Sequence, residues 1–247
     1  MFLKAAVVSG LCAGSTQEPS SQGRPQALAG DRFTLGQRVF QLADIGAPSV
    51  YALGASHAPF AVKARAILDD LLARGVQDIE SLGEETRWGA GLVKVRLTGG
   101  VVLQERLIAL GAARVYPKTD DIAFIGRLLA MEEEARETET GLWTLPAYRI
   151  RRADAFRVRD LGAYHLTEGR VLGASARRSR TFLNFGEDYR TDFTATIANG
   201  TLRKWRKTPF NPASFEGAMV RVRGYVASIN GPSVEVTHPA QIERLTM

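Results

Sequence analysis

Two small five-stranded β-barrels in tandem, the first carrying three helices, are what this sequence predicts, in a chain that is mainly β with α. Three observations lead there. Over residues 30–143, short stretches of two-residue alternation enclose one helical pattern and precede two more. From residue 166 onward, five alternating stretches follow one another, separated by turn-forming Gly, Pro, Asn and Asp. Between the two regions residues 149–154 read Arg-Ile-Arg-Arg-Ala-Asp, a charged linker. The 247 residues suit two units of about 100 to 150 residues each. The expected boundaries are a signal-like segment and leader at 1–29, a first domain at 30–145, a linker at 146–165 and a second domain at 166–247.

The elements follow in order. Residues 1–14 place a single lysine, Lys4, before a short apolar run and the small residues around Ala13, the pattern of a secretory signal peptide. That pattern implies export, to a periplasm; a frayed cytoplasmic start is the alternative. Cys12 is the one cysteine, so no disulfide can form within the chain. Residues 15–24 are a polar leader rich in Ser, Gln, Gly and Pro. Residues 30–35 open a strand that turns at Gly36-Gln37 into residues 40–49, where Pro48 ends the ladder by removing a donor. Residues 56–72 set Phe60, Ala64, Ile67, Leu68 and Leu71 at helical spacing, with a cap at Ser56 or Ala58 and an end at Gly75. A short strand at 76–79 gives way to an acidic loop at 80–85. Residues 92–97 then alternate Leu92, Lys94 and Arg96 against Val93, Val95 and Leu97. Two helices follow. Residues 102–115 carry Leu103, Leu107 and Leu110 on one stripe. Residues 122–138 carry Ile122, Ile125, Leu128, Leu129 and Ala135 on one stripe and offer Glu132, Glu133 and Glu134 as a solvated face.

In the second half strands are expected at 169–174, 181–185, 191–197, 219–226 and 233–237. Five strands with a long connection, 199–215, between the third and fourth are the layout of an OB-fold. No stretch beyond the N-terminus approaches the ~20 apolar residues that span a bilayer.

Residues 40–49, Phe-Gln-Leu-Ala-Asp-Ile-Gly-Ala-Pro-Ser, resemble the active-site strand of the staphylococcal nuclease (thermonuclease) family, usually Val-Arg-Leu-Ala-Gly-Ile-Asp-Ala-Pro-Glu. Leu42, Ala43, Ile45, Ala47 and Pro48 match it. Residues 104–113 echo the family's Asn-x-x-Leu-Val-x-x-Gly-Leu-Ala helix, and Ala135-Arg136 followed by Gly141-Leu142-Trp143 matches its ending. The resemblance spans about residues 30–143 and implies an OB-type barrel with three helices that hydrolyses phosphodiesters. It further implies two arginines gripping the phosphate, a glutamate beside the attacking water, and calcium held by carboxylates. In this sequence the first arginine falls on Gln41, the glutamate on Ser49, the second arginine on Ala90, and two metal aspartates on Gly46 and Ala29. Asp31 stays in register, and Asp44 and Arg87 are the available substitutes. Losing one oxyanion-type donor costs ~10²–10³ in rate and losing the base ~10²–10⁴. Hydrolysis is therefore not expected, and neither is a cofactor; calcium enters only if a rearranged site works. The acidic stretch at 80–85 would also repel a phosphate.

The formal charge of +6 is unevenly placed: residues 1–154 hold 18 Lys+Arg and 18 Asp+Glu, residues 155–247 hold 14 and 8. Basic charge confined to one region favours a polyanionic partner there. Arg221, Arg223 and Tyr225 share one face of the strand at 219–226, Arg177, Arg178 and Arg180 crowd a turn, and Lys204, Trp205, Arg206 and Lys207 form the densest basic-aromatic mixture. Guanidiniums on phosphates with a ring stacked on a base are how single strands are held. The alternative for Trp205 is inward packing with the neighbouring charges solvated. His57, His165 and His238 are scattered without metal-ligand spacing. The expected function is that of an exported, catalytically degenerate member of the nuclease family that binds nucleic acid, single-stranded nucleic acid included, or another polyanion. A calcium-dependent nuclease with a rearranged site and a scaffold for a protein partner are the alternatives.

Overall fold

A computed structural model describes residues 23–49, 59–86, 89–157, 160–188, 190–205 and 210–245. The signal-like segment with Cys12, the helix cap expected at Ser56 or Ala58, and His57, Arg87, Arg206 and Lys207 lie outside the described residues.

The first half begins with β1 (Gln26–Ala29), β2 (Arg32–Leu35), β3 (Arg38–Leu42) and β4 (Ile45–Gly46). These lead into α1 (Ala61–Ala73), β5 (Val76–Glu85), β6 (Gly91–Leu97), α2 (Leu103–Ala109), β7 (Arg114–Val115) and α3 (Ile122–Glu137). One sheet runs in the order β1-β2-β3-β6-β5, with β3 and β6 parallel and the other neighbours antiparallel. Its inner face presents Phe33, Leu42, Val93 and Val95, which pack on Leu68 of α1, Leu107 of α2 and Ile125 of α3 in one core. Burial of that apolar area is the main force holding the helices to the sheet.

Several elements differ from the expectation. Residues 26–29 lie in the expected leader but form β1, whose inward residues are the small Ala27 and Ala29. The acidic stretch at 80–85 is not a loop; it continues β5 as an edge strand with two register shifts. The helix expected to reach Val115 ends at Ala109. Gly111 adopts φ +57, and a Cβ there would strike the Thr140 carbonyl, so the chain reverses and β7 pairs with β4.

The second half comprises β8 (Arg151–Arg152), β9 (Tyr164–Arg170), β10 (Gly173–Ala176), β11 (Arg180–Asn184), β12 (Thr194–Ala198), α4 (Asn199–Lys204), β13 (Met219–Ser228), β14 (Pro232–Glu235) and β15 (Ile242–Arg244). Its sheet runs β10-β11-β12-β14-β13-β9-β8, with β15 also on β13. Val171, Phe193, Val220 and Val234 fill its core.

Two five-stranded barrels, one of the nuclease type and one an OB-fold, are not what forms: the fold is mixed α/β, and among the described residues no sheet closes on itself. In the first sheet the free edge of β1 is taken by a helix instead of a strand. Ala27 donates its N–H to Asp69 Oδ1 of α1 at 3.0 Å, and its carbonyl accepts from Arg65 Nε at 3.1 Å. In the second sheet the β9 ladder stops at Arg170 and the β10 ladder starts at Gly173, with Val171 and Leu172 outside both.

Of the three α3 carboxylates expected to face water, Glu134 does, whereas Glu132 and Glu133 face β13. Glu132 is 2% exposed and meets Arg223, and Glu133 meets Arg221. Residues of both halves, among them Ala135, Leu142, Trp143, Tyr164 and Leu166, share a third apolar cluster at this junction.

Candidate functional site

The residues singled out around β3 and β4 do converge. Asp31 sits in the turn between β1 and β2; its Oδ2 accepts from the Ala47 N–H at 3.2 Å, while Gln41 Nε2 donates to the Asp31 carbonyl at 3.1 Å. Burial raises the Asp31 pKa; the Ala47 and Gln41 hydrogen bonds and the charges of Arg32 and Lys118 oppose that rise. Ala90 is buried and donates its N–H to Thr86 Oγ1 at 3.2 Å. Ser49 lies at the end of the described stretch, and Gly46 pairs with Arg114.

Asp44 is wholly buried at φ +59, a conformation Asp tolerates better than most residues. Its Oδ1 accepts from the N–H groups of Lys118 and Thr119, both at 2.8 Å, and its Oδ2 accepts from Thr119 Oγ1 at 2.6 Å. Its backbone carbonyl takes the Tyr116 N–H at 2.8 Å. Both carboxylate oxygens are thus committed to holding the loop that follows β7. Asp44 is a turn anchor, and its side chain does not reach into the space beside Gly46.

That loop supplies a residue the sequence reading passed over. Lys118 stands between Asp31 and Asp44; burial lowers its pKa and the two carboxylates push it back up. A cleft of about 410 Å³ lies alongside it. One wall is Glu84, Glu85 and Thr86; the other is Tyr116, Lys118 and His238, so the second half contributes to it. Pro117-Lys118 follows a predicted helix, and no local pattern marks it as a site residue. His238 is buried and accepts from the Ala240 N–H through Nδ1 at 3.1 Å; burial lowers its pKa, opposed by Thr119, Asp44 and Asp120. Among the described residues no three His, Cys, Asp or Glu side chains are grouped to hold a metal ion.

The basic residues of the second half divide into two sets. Arg221, Arg223 and Tyr225 do share one face of β13, but that face turns onto α3 and β9 instead of solvent. Arg223 is 0% exposed; Nη1 meets Glu132 Oε2 at 2.6 Å and Nη2 meets Glu243 Oε1 at 2.5 Å. Burial alone would lower its pKa, and the two carboxylates outweigh that and raise it. Arg221 meets Glu133 Oε2 at 2.6 Å and Glu168 Oε1 at 2.8 Å. These guanidiniums are internal ties and cannot grip a phosphate from solvent without breaking them. Tyr225 alone of the three reaches the surface, 56% exposed, at the edge of a group with Tyr116 and Tyr164.

Arg177, Arg178 and Lys204 form the other set and are exposed. Asn199 Nδ2, at the start of α4, donates to the carbonyls of Arg177 and Arg178 at 2.8 and 3.2 Å, fixing the β10-β11 turn against the helix whose last turn carries Arg203 and Lys204. Arg180 is part of this region but is paired with Glu235 at 2.9 Å. Trp205 packs edge-on against Phe210, ring centroids 5.0 Å apart, beside the second core.

Residues 39–145 match the family of staphylococcal nuclease homologues. No curated protein matches the chain.

Proposed function

On the premise that residues 39–145 are homologous to staphylococcal nuclease, we propose that the chain keeps the nuclease framework as a support without hydrolysing phosphodiesters. It binds polyanions, nucleic acid among them, through Arg177, Arg178 and Lys204. The observation that carries this reading is the corner where Asn199 ties the β10-β11 turn to α4, gathering these cations with Arg203. Among the described residues none of the four has an ion pair. An exported form of the protein, as the first fourteen residues suggest, would meet such polymers outside the cytoplasm.

Hydrolysis lacks the groups it needs. Gln41 brings no charge where the family has an arginine, Ala90 brings a buried methyl where it has another, and the Ser49 hydroxyl is no base near neutral pH. Calcium takes at least six oxygens, with carboxylates among them. The Asp31 carboxylate is already engaged by Ala47, and the Asp44 oxygens are both occupied. The residues present do not fit that ion. Glu84 and Glu85 on the cleft wall add repulsion toward an entering phosphate.

Titrating labelled single-stranded DNA with purified protein over a salt series tests both parts. Affinity should fall linearly on logarithmic axes, and the variant Arg177→Ala/Arg178→Ala/Lys204→Ala should reduce the slope by about two. DNA fragments that appear with calcium and vanish in Asp31→Ala would establish a hydrolase instead. Binding that ignores salt and the triple substitution would remove the corner from the function.

A further inference from the structure

A second hollow, of about 500 Å³, opens between α1 and α2 and shares no lining residue with the cleft of Lys118. The buried stripe of α1 is Ala61, Ala64, Leu68, Leu71 and Leu72. The neighbouring flank, with Lys63, Ile67, Asp70 and Arg74 at three- and four-residue spacing, borders the hollow. Its floor is apolar, made by Phe60, Ile67, Leu71 and Leu110. Its rim is cationic, made by Lys63, Arg74 and Arg106, and the one carboxylate that lines it among the described residues, Asp70, is taken up by Arg74 at 2.5 Å. Among the described residues the Arg106 guanidinium has no partner, and the Lys63 ammonium has only the face of the Phe60 ring, 5.2 Å from its centroid.

Other contacts hold the hollow open. Phe60 adopts φ +76, uncommon for a bulky residue, yet it is fixed from both sides. Its carbonyl accepts from Ala64 N–H at 2.8 Å, and the carbonyl of the preceding Pro59 accepts from the Tyr148 hydroxyl. At the far end Gly141 packs directly on the carbonyls of Leu110 and Gly111, where a Cβ would not fit.

We propose that this hollow binds an anionic amphiphile, with its acyl or alkyl tail on the apolar floor and a single carboxylate or phosphate head between Arg106 and Lys63. The volume lies within the range of roughly 300–1,000 Å³ seen for small-molecule sites, which are mostly apolar with a few placed polar groups. The rim sets the head-group chemistry. A guanidinium without an internal partner recognises a carboxylate or phosphate by paired hydrogen bonds, and the neighbouring ammonium adds charge. The site is independent of the polyanion corner, which lies in the other half of the chain.

The test uses the full chain with a dansyl-labelled long-chain fatty acid, the unlabelled acid, its methyl ester, and vesicles containing phosphatidylglycerol. One-to-one saturable binding, displaced by the free acid, is expected, with the ester about tenfold weaker because it has no charge for the rim. Lys63→Gln/Arg106→Gln should weaken binding about tenfold or more, and Ile67→Glu should abolish it; a thermal melt of each variant checks folding. The surface double variant keeps the test decisive if Ile67→Glu does not fold. Equal affinity for acid and ester, or full binding by the double variant, overturns the proposal. Binding to the vesicles that monomeric acid does not compete overturns it in favour of a membrane surface. Displacement of the probe by an acidic helical peptide at lower concentration than by the acid overturns it in favour of a protein partner.

Discussion

Asp44 shows how one residue's role changes with its surroundings. In the sequence it is a carboxylate two residues before Gly46, where the resemblance leads one to expect a metal aspartate; in the fold it accepts three hydrogen bonds and is shut off from solvent. Asp44→Ala leaves the Lys118 and Thr119 N–H groups without their acceptor, and should lower stability by about 2 kcal/mol in urea denaturation. His165 gives a pH dependence of known sign. Burial first, then the positive charges of Arg151 and Arg114, lower its pKa from 6.5 to about 4, and its Nε2 donates to the Asp160 carbonyl at 3.0 Å. The unfolded chain takes up this proton at higher pH than the folded one. Stability from His165 is therefore complete above pH 6.5 and is lost as pH falls toward 4. The loss amounts to about 3 kcal/mol, and the buried His238 adds to it in the same direction. In His165→Gln, urea midpoints measured across that window should fall less steeply than in the parent.

At the scale of elements, the contact between α3 and β13 carries the largest predicted effect. Glu132 accepts from the Val115 N–H at 2.6 Å and pairs with Arg223, so one buried carboxylate connects β7, α3 and β13. Arg223→Ala strands that carboxylate without its counter-charge and should cost about 3–5 kcal/mol. Adding Glu132→Gln should recover part of the loss, because the neutral amide still accepts from Val115 and carries no charge to desolvate; equal stability of the single and double variants would refute this. The end of α2 is set more simply. Gly111→Ala forces a side chain into a left-handed position against the Thr140 carbonyl and should destabilise by about 1–3 kcal/mol, read as a lower melting temperature.

The whole molecule is joined through this junction. Arg223, Arg221 and Tyr164 of the second half reach Glu132, Glu133 and the Val115 carbonyl of the first. His238 lines the cleft whose other wall is β5. A fragment ending at residue 145 would leave Glu132 without Arg223, Glu133 with Arg136 but without Arg221, and the third apolar cluster half exposed. The full chain should accordingly unfold in one calorimetric transition, with equal calorimetric and van't Hoff enthalpies. Two separate transitions would mean that the halves are independent.

The sequence by itself determined the family signature over the first half, the alternation of β6, β11 and β13, the helical stripe of α3, and the uncharged identity of Gln41 and Ala90. These are local periodicities and residue identities, which survive without knowledge of neighbours. It also placed Arg221 and Arg223 correctly on one face of a strand. Which way that face points was decided by the tertiary structure, because two of the acidic residues that meet it, Glu132 and Glu133, lie about ninety positions away on α3 and no local pattern records such a pairing. The same holds for the open sheets: α1 side chains, not a strand, take the backbone edge of β1. A charged group is a surface ligand site or an internal tie according to what packs against it, and that is a property of the fold.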